Sequence, residues 1–514
     1  MNSIAVRKWA ALGAITLGVL AAGLDVTVLS VALPTLAVAL RASESDLQWF
    51  SAAYALALAA GMLPAGVLGD RFGRKRVMVG AMVLFGAGSV ACAYAPSPAA
   101  FIAARVVLGL AGAALIVMAL SVLAVLFSEE ERPRAVGIWA AANFLALPLG
   151  PILGGWLLTH YWWGWVFLMN VPVAALGLVA VLVLVPESRA PERPALDPVG
   201  MLAASVGLAA TTYGLIELGR NGWTDPGSLA ILAAGLIVIV AFFLWERRLT
   251  LRPGGRPLID LSLFAAPGFT WGVILAAMGG LALIGLLFTM PQYAQGVEGV
   301  DPEGAGLRLL PVIVGLVAGA VPADRLAARI GAKLTVAAGF AITTVGLLVG
   351  ATTTVDSSTW FVAAWMGVVG LGMGIGFSTA ASAALKNVPS EQSGVASALI
   401  QAMQKVGAPF GAAILGSVLV TGYQSQLHLA GLPSALTDTI RQSVFAGVKV
   451  AESVNSPALV LSIRQAFVHG MDLALVVSAV IAAVAMLLAL AFMPGKAPNV
   501  DAASVAVREL GSVA

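Results

Sequence analysis

Fourteen apolar stretches follow one another along this 514-residue chain, and each has the roughly 20 residues needed to cross a bilayer as a helix. They fall at approximately 10–33, 48–69, 77–96, 101–127, 135–158, 165–186, 198–218, 227–245, 268–290, 304–323, 334–352, 359–384, 394–420 and 471–493. Inside hydrocarbon every backbone amide must find its partner within its own segment, so such a chain folds as packed helices. With 60% hydrophobic and only 10% charged residues, no separate water-soluble core is expected. The expected fold class is an all-α polytopic membrane protein.

Charge placement sets the orientation. With a cytoplasmic N-terminus, inside segments hold 20 of the 28 Lys and Arg, and outside segments hold six: Arg41, Arg220, Arg308, Arg441, Lys449 and Arg464. Arg105 and Lys405 fall within spans. Basic residues resist translocation, so both termini are expected in the cytoplasm of a multi-pass cell-membrane protein. Arg7 and Lys8 before an apolar run have the outline of a signal peptide. The run continues past Asp25 to Leu33 without a small-residue cleavage site and reads as a retained first span. Cys92 is the one cysteine and His160, His428 and His469 are scattered, so no disulfide framework or metal site is expected. Without a nucleophile–base constellation or a phosphate-binding loop, the chain does not read as an enzyme. No cofactor is expected, and an ion gradient should supply the energy.

Between the second and third stretches the chain reads Gly66-Val67-Leu68-Gly69-Asp70-Arg71-Phe72-Gly73-Arg74-Lys75-Arg76. Glycines permit a tight turn and close helix approach, and the basic cluster is a cytoplasmic anchor. A second loop, from Asp324-Arg325 to Lys333, echoes it 254 residues later. A duplicated six-span unit with two spans inserted between the copies would produce that spacing. The division expected is a six-helix bundle over 1–186, two inserted helices with linkers over 187–267, a second bundle over 268–493, and a tail over 494–514.

The pattern Gly66-x-x-x-Asp70-Arg71-x-Gly73-Arg74-Lys75 resembles the signature loop of the major facilitator superfamily. Fourteen spans narrow the resemblance to its drug:proton antiporter group, and four further stretches fit. Leu24-Asp25-Val26-Thr27 to Pro34 resembles that group's first-helix motif. Arg105-x-x-x-Gly109-x-x-Gly112 resembles the motif whose arginine is linked to proton coupling, with Leu108 where the family usually has Gln. Gly137-x8-Ala146-x3-Gly150-Pro151-x2-Gly154-Gly155 is similar to the antiporter motif, with Ala146 replacing a glycine. Pro257 to Phe264 looks like the family's linker. The resemblance implies two six-helix bundles plus two extra helices, rocking about a central site to exchange protons for lipophilic, cationic or amphipathic drugs and antibiotics. It implies a conformational gate at Gly66, Asp70, Arg71, Gly73, Arg74, Lys75, Asp324 and Arg325. The alternatives are a proton-coupled importer or exporter of a metabolite, siderophore or lipid on the same fold, and a non-transporting membrane protein. The expected partners are a small-molecule substrate, protons and the bilayer, with no nucleic acid, for a monomer.

A carboxylate within a span costs about 2.5–3.5 kcal/mol on insertion scales, so Asp25 should face a partner or a wet cavity. At about 1.5 Å per residue it lies roughly 22 Å up a 30 Å core. Arg105, on the antiparallel fourth span, falls at nearly the same height. The two readings are a proton-coupling pair and a static ion pair that locks helices. Gly and Pro in the fifth span allow close packing and a bend, a surface on which halves can rock. Lys405, Gln401 and Gln404 in span thirteen and Asn143 in span five are candidate cavity residues; Asn143 and Asn170 also suit interhelical hydrogen bonds. Glu217 and Asp472, near outer span ends, read as boundary residues. Within the external loop 422–470, Leu436, Ile440, Phe445 and Val448 predict a short amphipathic helix, with another near 457–467. It is either a cap over the outer vestibule or an ordinary packed loop.

Overall fold

The computed structural model describes residues 3–128, 131–189, 197–252, 261–385, 393–427, 429 and 433–494. Among them the chain is helical between short connections, with no strand. A first group comprises α1 (Ser3–Ala39), α2 (Glu44–Phe72), α3 (Arg74–Ala93), α4 (Pro98–Leu126), α5 (Arg132–His160), the single turn α6 (Trp165–Leu168) and α7 (Asn170–Leu184). Within it α1 packs on α5 and α7, α2 on α4, and α3 on α4 and α7. The pair α8 (Pro198–Asn221) and α9 (Pro226–Thr250) follows. The second group holds α10 (Pro267–Gln292), α11 (Pro302–Arg308), α12 (Leu310–Ile330), α13 (Ala332–Gly350), α14 (Thr359–Leu385) and α15 (Ser393–Ser425). It ends with α16 (Ser434–Gln442), α17 (Val444–Ser453) and α18 (Pro457–Phe492). Here α12 and α13 pack on α14, α10 on α15, and α18 on α13 and α15.

Eleven of these segments are long and apolar enough to cross a membrane, and α2 makes a twelfth if its two arms, bent by 47° at Pro64, form one span. The proline removes an amide donor and its ring presses on the preceding turn, which bends the helix. Helices α5 and α15 have span length, at 29 and 33 residues. Many of their side chains lie outside the described residues, so the expected spans 135–158 and 394–420 are not judged by the same test. The linker stretch 257–260 and the tail beyond 494 are also outside them.

Local sequence explains where helices begin. Ser97, Asp197, Asp225, Asp301 and Ser456 each accept a hydrogen bond from a first-turn amide, and a proline follows each at the first helical position. The side chain satisfies an orphan donor and the proline, having none, fits the next place. The Ser228 amide and hydroxyl donate to Asp225, holding its carboxyl below the usual aspartate range.

The segment 422–470 differs from its expected form. The first amphipathic helix is two, α16 and α17, parted at Ser443. The second is no separate element: α18 runs unbroken from Pro457. Gly470, at the expected loop end, lies within that helix and lets it meet the backbone of α15 near Leu419 and Tyr423.

Candidate functional site

Asp25 and Arg105 meet at the centre of the first group. Arg105 Nη1 donates to Asp25 Oδ2 in an ion pair whose side chains are 0% and 1% exposed. Three further elements hold the pair. Arg105 Nε donates to the Phe50 carbonyl on α2 at 3.1 Å. The guanidinium lies over the Tyr54 ring, 4.4 Å from its centroid, a cation–π contact favoured where water is excluded. The Tyr54 hydroxyl donates to the Ala22 carbonyl on α1 at 3.1 Å. On the far side, Asn170 Nδ2 on α7 stands 3.4 Å from Asp25 Oδ1 and 3.5 Å from Ser89 Oγ. The arginine and the carboxylate thus each have a further polar or aromatic neighbour besides one another, which favours keeping an ion pair in an apolar bundle.

Glycine decides that these helices come close enough. A Cβ on Gly109 of α4 would overlap the Tyr54 carbonyl, and one on Gly112 would stand 2.8 Å from the Tyr54 hydroxyl. Without those gaps, α2 could not bring Phe50 and Tyr54 to the arginine.

The glycines of the fifth span face two ways. A Cβ on Gly150 would overlap Thr27 Oγ1, and one on Gly154 would stand 2.8 Å from Val28 Cγ1, both on α1. Thr27 Oγ1 also donates to the Ala146 carbonyl at 2.9 Å. Gly155 faces the second group instead, where a Cβ would stand 2.5 Å from the Pro302 carbonyl of α11. Gly306 of α11 in turn abuts the Pro151 carbonyl. Stacked small residues let backbones touch and slide. The same end of the molecule carries other contacts between the groups. Gln295 Nε2 donates to the Val31 carbonyl at 2.9 Å, and Gly416 of α15 fits against the Gln48 side chain. Helix α8 lies along both α2 and α15. Ser417 Oγ donates to its Leu215 carbonyl, and Trp223 Nε1 donates to Thr421 Oγ1. The halves are joined at the end away from the basic turn.

At the basic end, Gly73 links α2 to α3 as a single residue at φ +114°, a backbone region that side chains disfavour. Arg74 pairs with Asp70 at 2.9 Å. Glu187, after α7, accepts from the Lys75 amide at 3.2 Å and stands 3.5 Å from Arg76 Nε, a negative group against a helix N-terminus. Lys75 Nζ donates to the Leu182 carbonyl. Lys8 donates to both oxygens of Glu131, tying the start of α1 to that of α5 and holding the Glu131 carboxyl below its usual range. The second loop repeats this turn at Gly331, with φ +90°, but the equivalent glycines are 258 positions apart rather than 254. Helix α12 therefore runs one turn beyond its Asp-Arg pair, so Asp324 meets Ser382 Oγ on α14 at 3.3 Å instead of an arginine across the turn. Arg71 lies 5.8 Å from the Phe72 ring centroid.

The contacts of Asp70, Arg74 and Lys75 stay within the first group and the residues just after α7 in this conformation. Asp70→Ala should therefore lower turnover while leaving equilibrium substrate affinity unchanged, and folding should cost only about 0.2–1 kcal/mol. Separate measurement of maximal rate and Kd checks this; lost affinity with unchanged turnover would refute the gate assignment.

Gly137, Asn143, Gln401, Gln404 and Lys405, as side chains, lie outside the described residues. Sequence reasoning did not assign Phe50, Tyr54, Ser89 or Glu187 to the site. Tyr54 and Ser89 carried a signal, being polar residues in apolar spans; the Phe50 carbonyl carried none.

Comparison with known proteins is consistent across the chain. Residues 15–412 match the model of the Major Facilitator Superfamily. The tetracenomycin C resistance and export protein of Streptomyces glaucescens is 31% identical, over 94% of this chain and 91% of its own. The multidrug efflux pump LfrA of Mycolicibacterium smegmatis is 33% identical, over 94% and 95%. Among solved structures, an inward-facing, unoccupied bacterial homolog of the human lysosomal transporter Spinster superposes with a TM-score of 0.67 at 18% identity, over 95% of this chain and 98% of that one. That likeness concerns the fold.

Proposed function

The chain belongs to the Major Facilitator Superfamily, and we propose that it is a proton-coupled antiporter exporting lipophilic, cationic or amphipathic drugs by alternating access. The observation that carries this reading is the enclosed Asp25–Arg105 pair on α1 and α4, in a chain whose full-length relatives are named for antibiotic export and multidrug efflux. The basic turns mark the cytoplasmic face, with both termini on that side and the joined end outside. The two bundles take the bounds 1–186 and 268–493, with α8 and α9 as the inserted pair, in a monomer that needs no cofactor. A proton from the outside neutralises Asp25, frees Arg105 and displaces a cationic substrate. Its release to the cytoplasm restores the carboxylate for the next molecule. The seam where Gly155 and Pro151 of α5 meet α11 is the surface on which the halves part, while Gly150 and Gly154 fasten α5 to α1 within the first half.

Inverted vesicles under an imposed pH gradient test the reading. Adding methyl viologen, the compound named for another relative, should release protons from vesicles that hold the protein. A panel of cationic dyes and antibiotics with no proton release against empty vesicles would overturn it.

A further inference from the structure

Glu44 opens α2 and is 2% exposed, with no hydrogen-bond partner for either carboxylate oxygen. It lies at the joined end of the molecule. Gln48, one turn on, is 1% exposed and its Oε1 also lacks a donor. The two are four residues apart on one helix face, and both line a cleft of about 280 Å³ between the α1–α2 connection, α8, α15 and α16. Gly416 of α15 closes on Gln48, so the two acceptors sit where the two helix groups touch. Three buried acceptors, both Glu44 oxygens and Gln48 Oε1, thus have no donor in bonding geometry, which is costly. One proton on Glu44 turns an acceptor into a donor and repairs the deficit.

Each neighbouring element bears on this. At the start of α17 the Val444 amide and the hydroxyl of the preceding Ser443 approach the carboxylate without reaching bonding geometry, and Ser443 Oγ is itself unpartnered. It can accept from a protonated Glu44. On α15 the Tyr423 hydroxyl is spent on the Ile440 carbonyl at 2.7 Å. Asp46 is satisfied by the Ser43 amide and hydroxyl at 2.9 and 2.7 Å. Arg41 and Arg441 line the cleft but neither hydrogen-bonds to Glu44.

We propose that Glu44 is a second proton-binding site, separate from Asp25, and acts as a latch that binds a proton when the two helix groups close at this end. The proposal rests on the alternating-access reading above. In the open form Glu44 meets water and ionises as an ordinary glutamate. In the closed form it is buried without a donor in bonding geometry and holds the proton. The closed form therefore binds one proton more, so acid favours closure and alkali favours opening.

Spin labels at Ala39→Cys on α1 and Glu452→Cys on α17 report the separation of the groups at this end, with the buried Cys92 left in place. The background is Asp25→Asn, which removes the first proton site. Lowering the pH from about 8 to about 5, above the free glutamate value of roughly 4.3, should raise the ratio of short to long distances by up to about tenfold per pH unit. Adding Glu44→Gln should leave the ratio independent of pH, with short distances dominant. Acid-driven closing that persists in the double variant overturns the latch. Opening that never depends on pH overturns it too, while the alternating-access reading stands. A single distance in every variant at every pH removes both.

Discussion

Asp25→Asn should reach the membrane in wild-type amounts and lose proton-driven export altogether, with substrate-induced proton release falling to that of empty vesicles. Asparagine keeps the size of the side chain and an oxygen that can accept from Arg105 Nη1, which donates to Asp25 in the wild type. Arg105 also retains the Phe50 carbonyl and the Tyr54 face. The bundle therefore keeps its packing while the carboxylate proposed to carry the proton is gone. Folding is checked by solubilised yield and thermal melting, and transport by efflux against pH. Full pH-dependent efflux by this variant would end the coupling role of Asp25 and leave the ion pair as a fastener between α1 and α4.

Removing the other partner should hurt the fold more. Arg105→Ala strips the ion pair, the bond to Phe50 and the contact with Tyr54 in one step. It leaves Asp25 enclosed, with the Asn170 amide 3.4 Å away as its remaining polar neighbour. Breaking a buried pair from one side costs about 3–5 kcal/mol, so a marked fall in melting temperature is expected. Arg105→Lys keeps the charge but not the planar fork, which alone can reach Asp25 and the Phe50 carbonyl while lying on a ring. It should fold better than the alanine variant and still transport poorly. Efflux rate and melting temperature measured side by side in the two variants read this directly. An alanine variant as stable as the wild type would mean that the pair contributes nothing to the fold.

Much of this was legible in the residues themselves. The apolar run lengths, the Ser-Pro and Asp-Pro helix starts and the glycine turn at Gly73 depend on neighbours a few places away, where backbone geometry and capping act. The heights of Asp25 and Arg105 followed from helical rise alone. The rotation of each helix about its axis did not follow. In a bilayer the face turned to lipid and the face turned to protein are both apolar, so periodicity cannot tell them apart. Only the packed structure decided that α2 presents Phe50 and Tyr54 to Arg105, that Gly150 and Gly154 face α1 while Gly155 faces α11, and that Glu44 and Gln48 lie between the halves. The one-turn extension of α12 before Gly331 could be read from the spacing of the two glycines; that it carries Asp324 to Ser382 on α14 could not. Such contacts join residues far apart in the chain, 264 positions in the case of Gln295 and Val31. They are chosen by where glycine lets backbones touch and where a polar group can find its partner, conditions that exist only once the helices have packed.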